Sequence, residues 1–328
     1  MRVLLVKTSS LGDIIHALAP LTDAAAAVPG LRCDWVAEEA CAEVPSWHPA
    51  VGRVIPCALR RWRKAPLAAV RSGEWGAFRA ALRSESYDLV LDAQGLVKSA
   101  LLAAQARGPV AGRGFRSSRE GLAALFYDRR YEVSQDQDQV ERQRELFARA
   151  LGYAQPRGLP RFGLDAGRFR DANTAPYVPP YVVFQHGASW PSKLWAEAHW
   201  QSLGRELRRS GYAVKLPWGA PAERQAAQRI AAAFEGEVLP PLTLTALARV
   251  LANARFVVGL DTGVTHLAAA LDVRSVSLHG PSVPVIHGVA SGALVNLCAS
   301  DSQVIDRARP NTVTLEAVRE AIRPWLGG

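Results

Sequence analysis

The chain has no long apolar run. No uninterrupted stretch approaches the roughly 18 to 20 residues that a membrane-spanning helix requires, so the sequence reads as soluble or peripheral. A secretory leader is not expected either, because Lys7, Asp13 and His16 interrupt the apolar N-terminus. Cysteine is scarce. Cys33, Cys41, Cys57 and Cys298 form no CxxC pair and have no histidine at metal-ligand spacing, which argues for buried, reduced thiols in a cytoplasmic protein. No GxxxxGK[ST] loop occurs, and no GxGxxG follows the first strand, so P-loop nucleotide hydrolysis and dinucleotide binding lose support. No repeat of 20 to 50 residues is present, which excludes a solenoid. Acids are missing where cations gather. Residues 53–83 carry eight Lys and Arg against the single acid Glu74, and residues 107–119 carry four Arg and no acid.

What is there is a 328-residue chain that is 49% hydrophobic, enough for two domains with separate cores. At 21% charged residues, extensive disorder is not expected. The net charge of +9 suits an anionic partner such as nucleic acid, anionic lipid or a phosphorylated substrate. Short apolar strands alternate with amphipathic helices in both halves. "RVLLVK", "RCDWVA", "RVIPC", "DLVLDAQG" and "GPVAGR" read as strands. "DIIHALAPLTDAAAAV", "VKSALLAAQA" and "DQVERQRELFARALG" read as helices. Residues 154–180 hold five prolines and three glycines without a period, which marks a linker. The pattern restarts at "YVVFQH" and runs to the closing helix "TVTLEAVREAIRPWLG". The expected architecture is α/β: two doubly wound parallel-sheet domains, 1–153 and 181–328, facing across a cleft. The last helix is expected to pack back on the first domain.

Three stretches carry candidate chemistry. In "VVGLDTGVTHLAAALD" a strand runs through Asp261, Thr262 and Gly263 into a helix whose N-terminal amides suit a phosphate. The same residues also read as plain strand-to-helix punctuation, and His266, one turn on, as a packed histidine. "FQHGASWPSKLWAEAHW" offers the hydroxyls of Ser189 and Ser192 and the compact charge of Lys193, suited to a leaving phosphate or to a solvated helix start. The basic arm "LRRWRKAPLAAV" sets Trp62 among four cations, fit for RNA, an anionic membrane or an acidic acceptor. "DQD" at 136–138 matches a metal-holding motif of some sugar transferases but reads here as a helix cap.

With these residues in place, the chain resembles the bacterial heptosyltransferases of the lipopolysaccharide inner core. The likeness rests on "VKTSSLGDIIHALAP", "LRRWRK", "DLVLDAQGLVKSAL", "HGASWPSKLWAEAHW", "KLPWGAPAER" and "VVGLDTGVTHLAAALD", in order along nearly the whole chain. "LRRWRK" and "KLPWGAP" favour the branch that adds the first heptose over the branch that adds the second. The resemblance implies the GT-B fold of two Rossmann-like domains, inverting transfer from ADP-heptose to a Kdo sugar of Kdo2-lipid A, and no cofactor or metal. By motif position it makes Asp13 the catalytic base. It puts Ser189, Lys193, Glu223, Asp261, Thr262, Gly263 and His266 at the donor, with Lys193 also stabilising the leaving ADP. Lys7, Ser9, Ser10, Gly12, Arg60, Arg61, Arg63, Lys64 and Arg119 fall at the acceptor. Where the family has two adjacent threonines this chain has Ala188 and Ser189, so one hydroxyl is kept and one is lost. A monomer resting on the anionic cytoplasmic leaflet of the inner membrane, without nucleic acid, is expected. The rival outside the enzyme class is a non-catalytic RNA- or membrane-binding protein that uses the basic arm.

Overall fold

The computed structural model describes residues 1–170, 179–280, 292–298 and 310–327; part of the expected linker, 171–178, lies outside them. Six strands of the first half are β1 (Arg2–Val6), β2 (Arg32–Glu38), β3 (Val51–Cys57), β4 (Leu89–Asp92), β5 (Val110–Arg113) and β6 (Arg129–Tyr131). They pair in parallel in the order β3-β2-β1-β4-β5-β6. The continuous apolar runs of β1 and β4 are buried, as a sheet covered on both faces requires. Pro56 sits in β3, the last strand at one side, where a missing N–H costs no ladder bond.

The second half repeats this plan. β7 (Tyr181–Gln185), β8 (Ala213–Leu216), β9 (Glu237–Val238), β10 (Phe256–Leu260), β11 (Ser275–His279) and β12 (Leu294–Cys298) pair in parallel in the order β12-β11-β10-β7-β8-β9. Both sheets therefore show the doubly wound order and the expected α/β class. The chain divides into two units, Met1–Leu164 and Asp165–Gly328.

Helices fill the connections. α1 (Leu11–Ala27) begins two residues before the helix expected from the sequence, with Ser10 at its N-cap, so Asp13 sits in its first turn. Then come α2 (Leu59–Lys64), α3 (Pro66–Arg71), α4 (Glu74–Arg83), α5 (Val97–Ala103) and α6 (Gln139–Leu151). Asp138 caps α6 by accepting from the backbone of Val140 and Glu141, and Gly152 ends it with φ +75°. The acids of "DQD" thus start a helix. In the second unit lie α7 (Glu197–Arg209), α8 (Pro221–Ala231), α9 (Leu244–Ala252) and α10 (Gly263–Ala270). The last helix, Leu315–Ile322, buries Val318 and Ile322 in the core of the second unit beside Phe184 and Trp200.

Some elements had no sequence signal. β6 and β12 are short strands at the sides of their sheets, where half-exposed, partly polar residues are tolerated. The basic arm is helical in three pieces too short to display a period. Its Trp62 corrects the sequence reading. The indole is buried, packs on Trp75 and Phe78 with centroids at 5.5 and 5.3 Å, and donates to Glu74. It belongs to the core, not to a binding face.

Candidate functional site at two switch points

In a doubly wound sheet, ligands bind outside the carboxyl ends of the strands where the winding reverses. In the first unit that point lies between β1 and β4, and in the second between β7 and β10. The segments leaving those four strands contain most of the residues singled out above.

After β1 the chain passes Lys7, Thr8, Ser9 and Ser10 into α1. Asp13 turns back to its N-cap: its Oδ2 accepts from the backbone N–H and the hydroxyl of Ser10, both at 2.9 Å. Its Oδ1 lies 3.5 Å from Nζ of Lys7. Lys7 is buried, and its Nζ also donates to the Ala93 carbonyl beyond β4 at 3.2 Å. The acid at this turn therefore satisfies an exposed helix end and a buried ammonium together. Burial alone would raise the Asp13 carboxyl. The Lys7 ammonium and the Ser10 N–H outweigh that and hold it well below the usual carboxylate range. Thr8 binds Gln94 through both its N–H and its hydroxyl, which ties the two segments at the switch point. Gly12 is buried in the first turn of α1, while Ser9 is half-buried and Ser10 exposed.

After β7 the chain runs through His186, Gly187 and Ser189 to Lys193. Its Nζ donates to the Asp261 carboxylate at 2.6 Å and to the Asp261 carbonyl at 2.9 Å, with the Trp190 ring centroid at 5.1 Å. Asn311 donates to the Lys193 carbonyl at 3.0 Å. Asp261 is held from the other side by His266 at 3.1 Å. Burial would raise the Asp261 carboxyl, but the His266 hydrogen bond and the neighbouring cations keep it far below its ordinary value. Thr262 is the N-cap of α10, and its buried hydroxyl has no hydrogen-bond partner among the described residues. Glu223, in the first turn of α8, accepts from the backbone of Gly219 and Ala220 at 2.7 and 3.2 Å. A Cβ on Gly187 would come within 2.6 Å of that carboxyl, so a larger residue there would displace the Glu223 side chain from its present position. Ser189 is exposed beside this cluster in sequence.

The two switch points carry the same ion pair with its order reversed. In the first unit the acid is outward, with the Asp13 side chain 30% exposed, and the Lys7 side chain behind it only 3%. In the second the cation is outward, with Lys193 14% exposed, and the Asp261 behind it 4%. Each outer group is therefore paired with a buried group of opposite charge.

The basic arm is less uniform than its sequence suggests. Arg61 is engaged by Glu39 at 3.1 Å and Glu74 at 2.7 Å, while Arg60, Arg63, Lys64 and Arg119 are exposed. Three residues escaped the sequence reading as site residues. Arg113, the last residue of β5, is buried within electrostatic reach of Asp13 and Asp92, and its Nε and Nη2 have no hydrogen-bond partner among the described residues. Asp92 is fully buried and accepts from Ser99 and Tyr127, both at 2.8 Å. His279 ends β11 with Nδ1 3.9 Å from Asp261, and burial lowers its imidazole to about 4. Among the described residues no group of three or more His, Cys, Asp or Glu could hold a metal ion.

A pH profile tests the Lys7–Asp13 coupling. With Lys7→Met, Asp13 loses the charge that depresses its pKa and keeps the burial that raises it. Removing that charge moves the acid limb of the Asp13 titration upward, by about 1 to 3 pH units, as read from its carboxyl NMR shift. An unmoved limb would mean that Lys7 does not set the ionisation of Asp13.

Comparison with known proteins follows the same lines. Residues 75–315 match the family described as Glycosyltransferase family 9 (heptosyltransferase). Lipopolysaccharide heptosyltransferase 1 of Pseudomonas aeruginosa is 52% identical over 299 residues, covering 90% of this chain and 83% of the relative. The structure of E. coli heptosyltransferase WaaC with ADP aligns at TM-score 0.89 and 45% identity, covering 99% of this chain and 100% of that one. The same enzyme with ADP-2-deoxy-2-fluoro heptose aligns at TM-score 0.86 and 44% identity, covering 99% of both chains.

Proposed function

Because the chain belongs to glycosyltransferase family 9, the heptosyltransferases, we propose that it moves L-glycero-D-manno-heptose from ADP-heptose to a Kdo sugar of Kdo2-lipid A, with inversion at the sugar C1. The observation that carries this reading is the reversed ion pair at the two switch points: an outward carboxylate in one unit, and an outward ammonium beside a helix N-terminus in the other. A single displacement needs both. The attacking hydroxyl must lose a proton, and the departing diphosphate must be met by positive charge.

In this mechanism Asp13 accepts the proton of the Kdo hydroxyl as its oxygen attacks C1. The bond from C1 to the phosphate oxygen breaks on the opposite face of the sugar, and ADP carries away the electron pair. Two hydrogens of Lys193 are spent on Asp261, and the third is left for a phosphate oxygen. The Thr262 hydroxyl and the amides that open α10 add uncharged donors, and Ser189 one more. Glu223 and His266 shape the nucleoside side and the Asp261 anchor. Arg60, Arg61, Arg63, Lys64 and Arg119, with Ser9, Ser10 and the close backbone at Gly12, meet the carboxylates and phosphates of the acceptor. No metal is required for this charge balance. The protein works as a monomer at the cytoplasmic face of the inner membrane, where its basic arm meets anionic lipid.

The test is release of ADP from ADP-heptose with and without Kdo2-lipid A, together with mass analysis of the lipid product. Release that depends on the acceptor, with one heptose added, is expected. Release that requires an already heptosylated acceptor would move the chain to the second heptose instead. Binding of RNA with no nucleotide-sugar turnover would remove the enzymatic reading.

A further inference from the structure

Two short helical segments of the first unit are amphipathic in the wrong sense. In the single-turn segment Gly121–Phe126 the small residues Ala123 and Ala124 are buried, while Leu122 is 66%, Leu125 61% and Phe126 37% exposed. In α3 the buried residue is Ala69, and Leu67 and Val70 are 70% and 64% exposed. A helix packed on a water-soluble core normally turns its large side chains inward. Here methyl groups fill the core and the branched side chains face out. The first segment has a larger apolar surround. Phe115, 48% exposed, lies against it, since a Cβ on Gly121 would come within 2.8 Å of the Phe115 carbonyl oxygen. Arg130 stacks over the Phe115 ring at 5.5 Å and donates to the Ala124 carbonyl at 2.6 Å. Exposed Arg116, Arg119 and Arg129 stand in the same stretch of chain, and exposed Arg63, Lys64 and Arg71 flank Leu67 and Val70.

The topology places these segments. α2 and α3 leave the carboxyl end of β3, and residues 115–126 leave the carboxyl end of β5. In a parallel sheet those ends share one side. β3 and β5 each stand two strands from β1, from whose carboxyl end the chain reaches Asp13. The α3 face and the start of the second segment, where Gly121 meets the Phe115 carbonyl, therefore lie on the side of the first switch point, and Leu125 and Phe126 follow as the chain runs back toward the amino end of β6. Isolated exposed leucines are ordinary. Two outward apolar faces in one unit, each flanked by exposed arginines or lysines, are not; the acids beside the first, Glu120 and Asp128, accept from the backbone N–H groups of Val97 and Val110. Apolar tips that enter the acyl boundary beneath a ring of cations that meet phosphates are the pattern of an interfacial membrane anchor.

We propose that Leu122, Leu125 and Phe126, with Leu67 and Val70 as a second foot, insert into the headgroup–acyl boundary of an anionic bilayer and hold the Asp13 switch point at the membrane surface. This rests on the reading of the acceptor as a lipid-linked sugar, and it goes beyond charge attraction by the basic arm. Adsorption by charge alone disappears in salt, whereas inserted side chains resist it.

The experiment uses the full chain with vesicles of phosphatidylglycerol and phosphatidylethanolamine at 3:7. Co-sedimentation is measured at 0.1 and 0.5 M NaCl, beside heptose transfer to vesicle-borne Kdo2-lipid A and to a deacylated, water-soluble Kdo acceptor. The triple variant Leu122→Ser/Leu125→Ser/Phe126→Ser is expected to lose vesicle binding at 0.5 M NaCl by about ten-fold or more. Transfer to the vesicle-borne acceptor should fall with it, and transfer to the soluble acceptor should stay unchanged. Leu125→Trp, a separate variant, should add an emission that shifts to the blue on vesicles and is quenched by brominated lipid. Unchanged salt-resistant binding of the triple variant would overturn the proposal. So would an added Trp emission that stays that of water while the protein is bound, or a wild-type dimer in the absence of lipid that the triple variant dissolves. Insertion without any heptose transfer by the wild type would leave the anchor standing and sink the functional reading alone.

Discussion

Asp13→Asn lowers kcat/KM for transfer by about 10³-fold, the loss expected when a general base is removed, and leaves ADP affinity unchanged. The two halves of this result come from different parts of the chain. The proposed proton acceptor lies in the first unit, and the groups proposed to meet the nucleotide leave β7 and β10 in the second. Asparagine keeps one oxygen that can accept from the Ser10 N–H, so the helix end stays capped, at a cost of about 1 kcal/mol or less. Lys7 retains the Ala93 carbonyl. A folded, nucleotide-binding, inactive protein is therefore the outcome. Turnover within a factor of three of the wild type would show that another group takes the proton. Isothermal titration with ADP, beside steady-state rates, reads both halves.

Lys193→Met has two separable effects. In the proposed mechanism it removes the charge that meets the departing phosphate, at about 10²- to 10³-fold in kcat. It also leaves the Asp261 carboxylate, 4% exposed, with His266 as its hydrogen-bonded neighbour. Breaking a buried pair from one side costs about 3 kcal/mol, so the urea midpoint falls. The double variant Lys193→Met/Asp261→Asn removes the orphaned charge and should recover most of the stability while remaining slow. If the double variant recovered rate as well as stability, Lys193 would be a structural cation only. If the single variant lost neither, the ammonium would not be facing the chemistry.

Much of this architecture was legible in the sequence because each long element carried its own signal. The short apolar runs of β1 and β4 and the cap-to-glycine span of α6 are local facts. So is the strand-to-helix step at Asp261–Gly263, and the motif resemblance adds which of these turns hold chemistry. What was not legible depends on packing at a distance. His279 stands beside Asp261 because β10 pairs with β11 in the register Leu260 to Leu278, a neighbourhood that seventeen intervening residues conceal. Arg113 looked like one more surface cation in an acid-free stretch, yet it closes a buried strand, and only the elements around it make its burial visible. Trp62 looked like an aromatic among cations, but Trp75 and Phe78, on a helix too short to announce itself, draw it inward. In each case the residue type was plain and its direction was not.

In the proposed mechanism each turnover leaves the first unit with a proton on Asp13 and sends one more negative charge away on ADP. The next cycle can begin only once that proton has gone. A carboxylic acid of ordinary strength already releases its proton readily in neutral water, and the buried ammonium behind Asp13 makes this one stronger still. Under that mechanism the base resets itself to bulk water through its exposed edge. In that mechanism Lys7 acts at both ends of the cycle: it holds Asp13 ionised before the attack and helps it shed the proton afterwards.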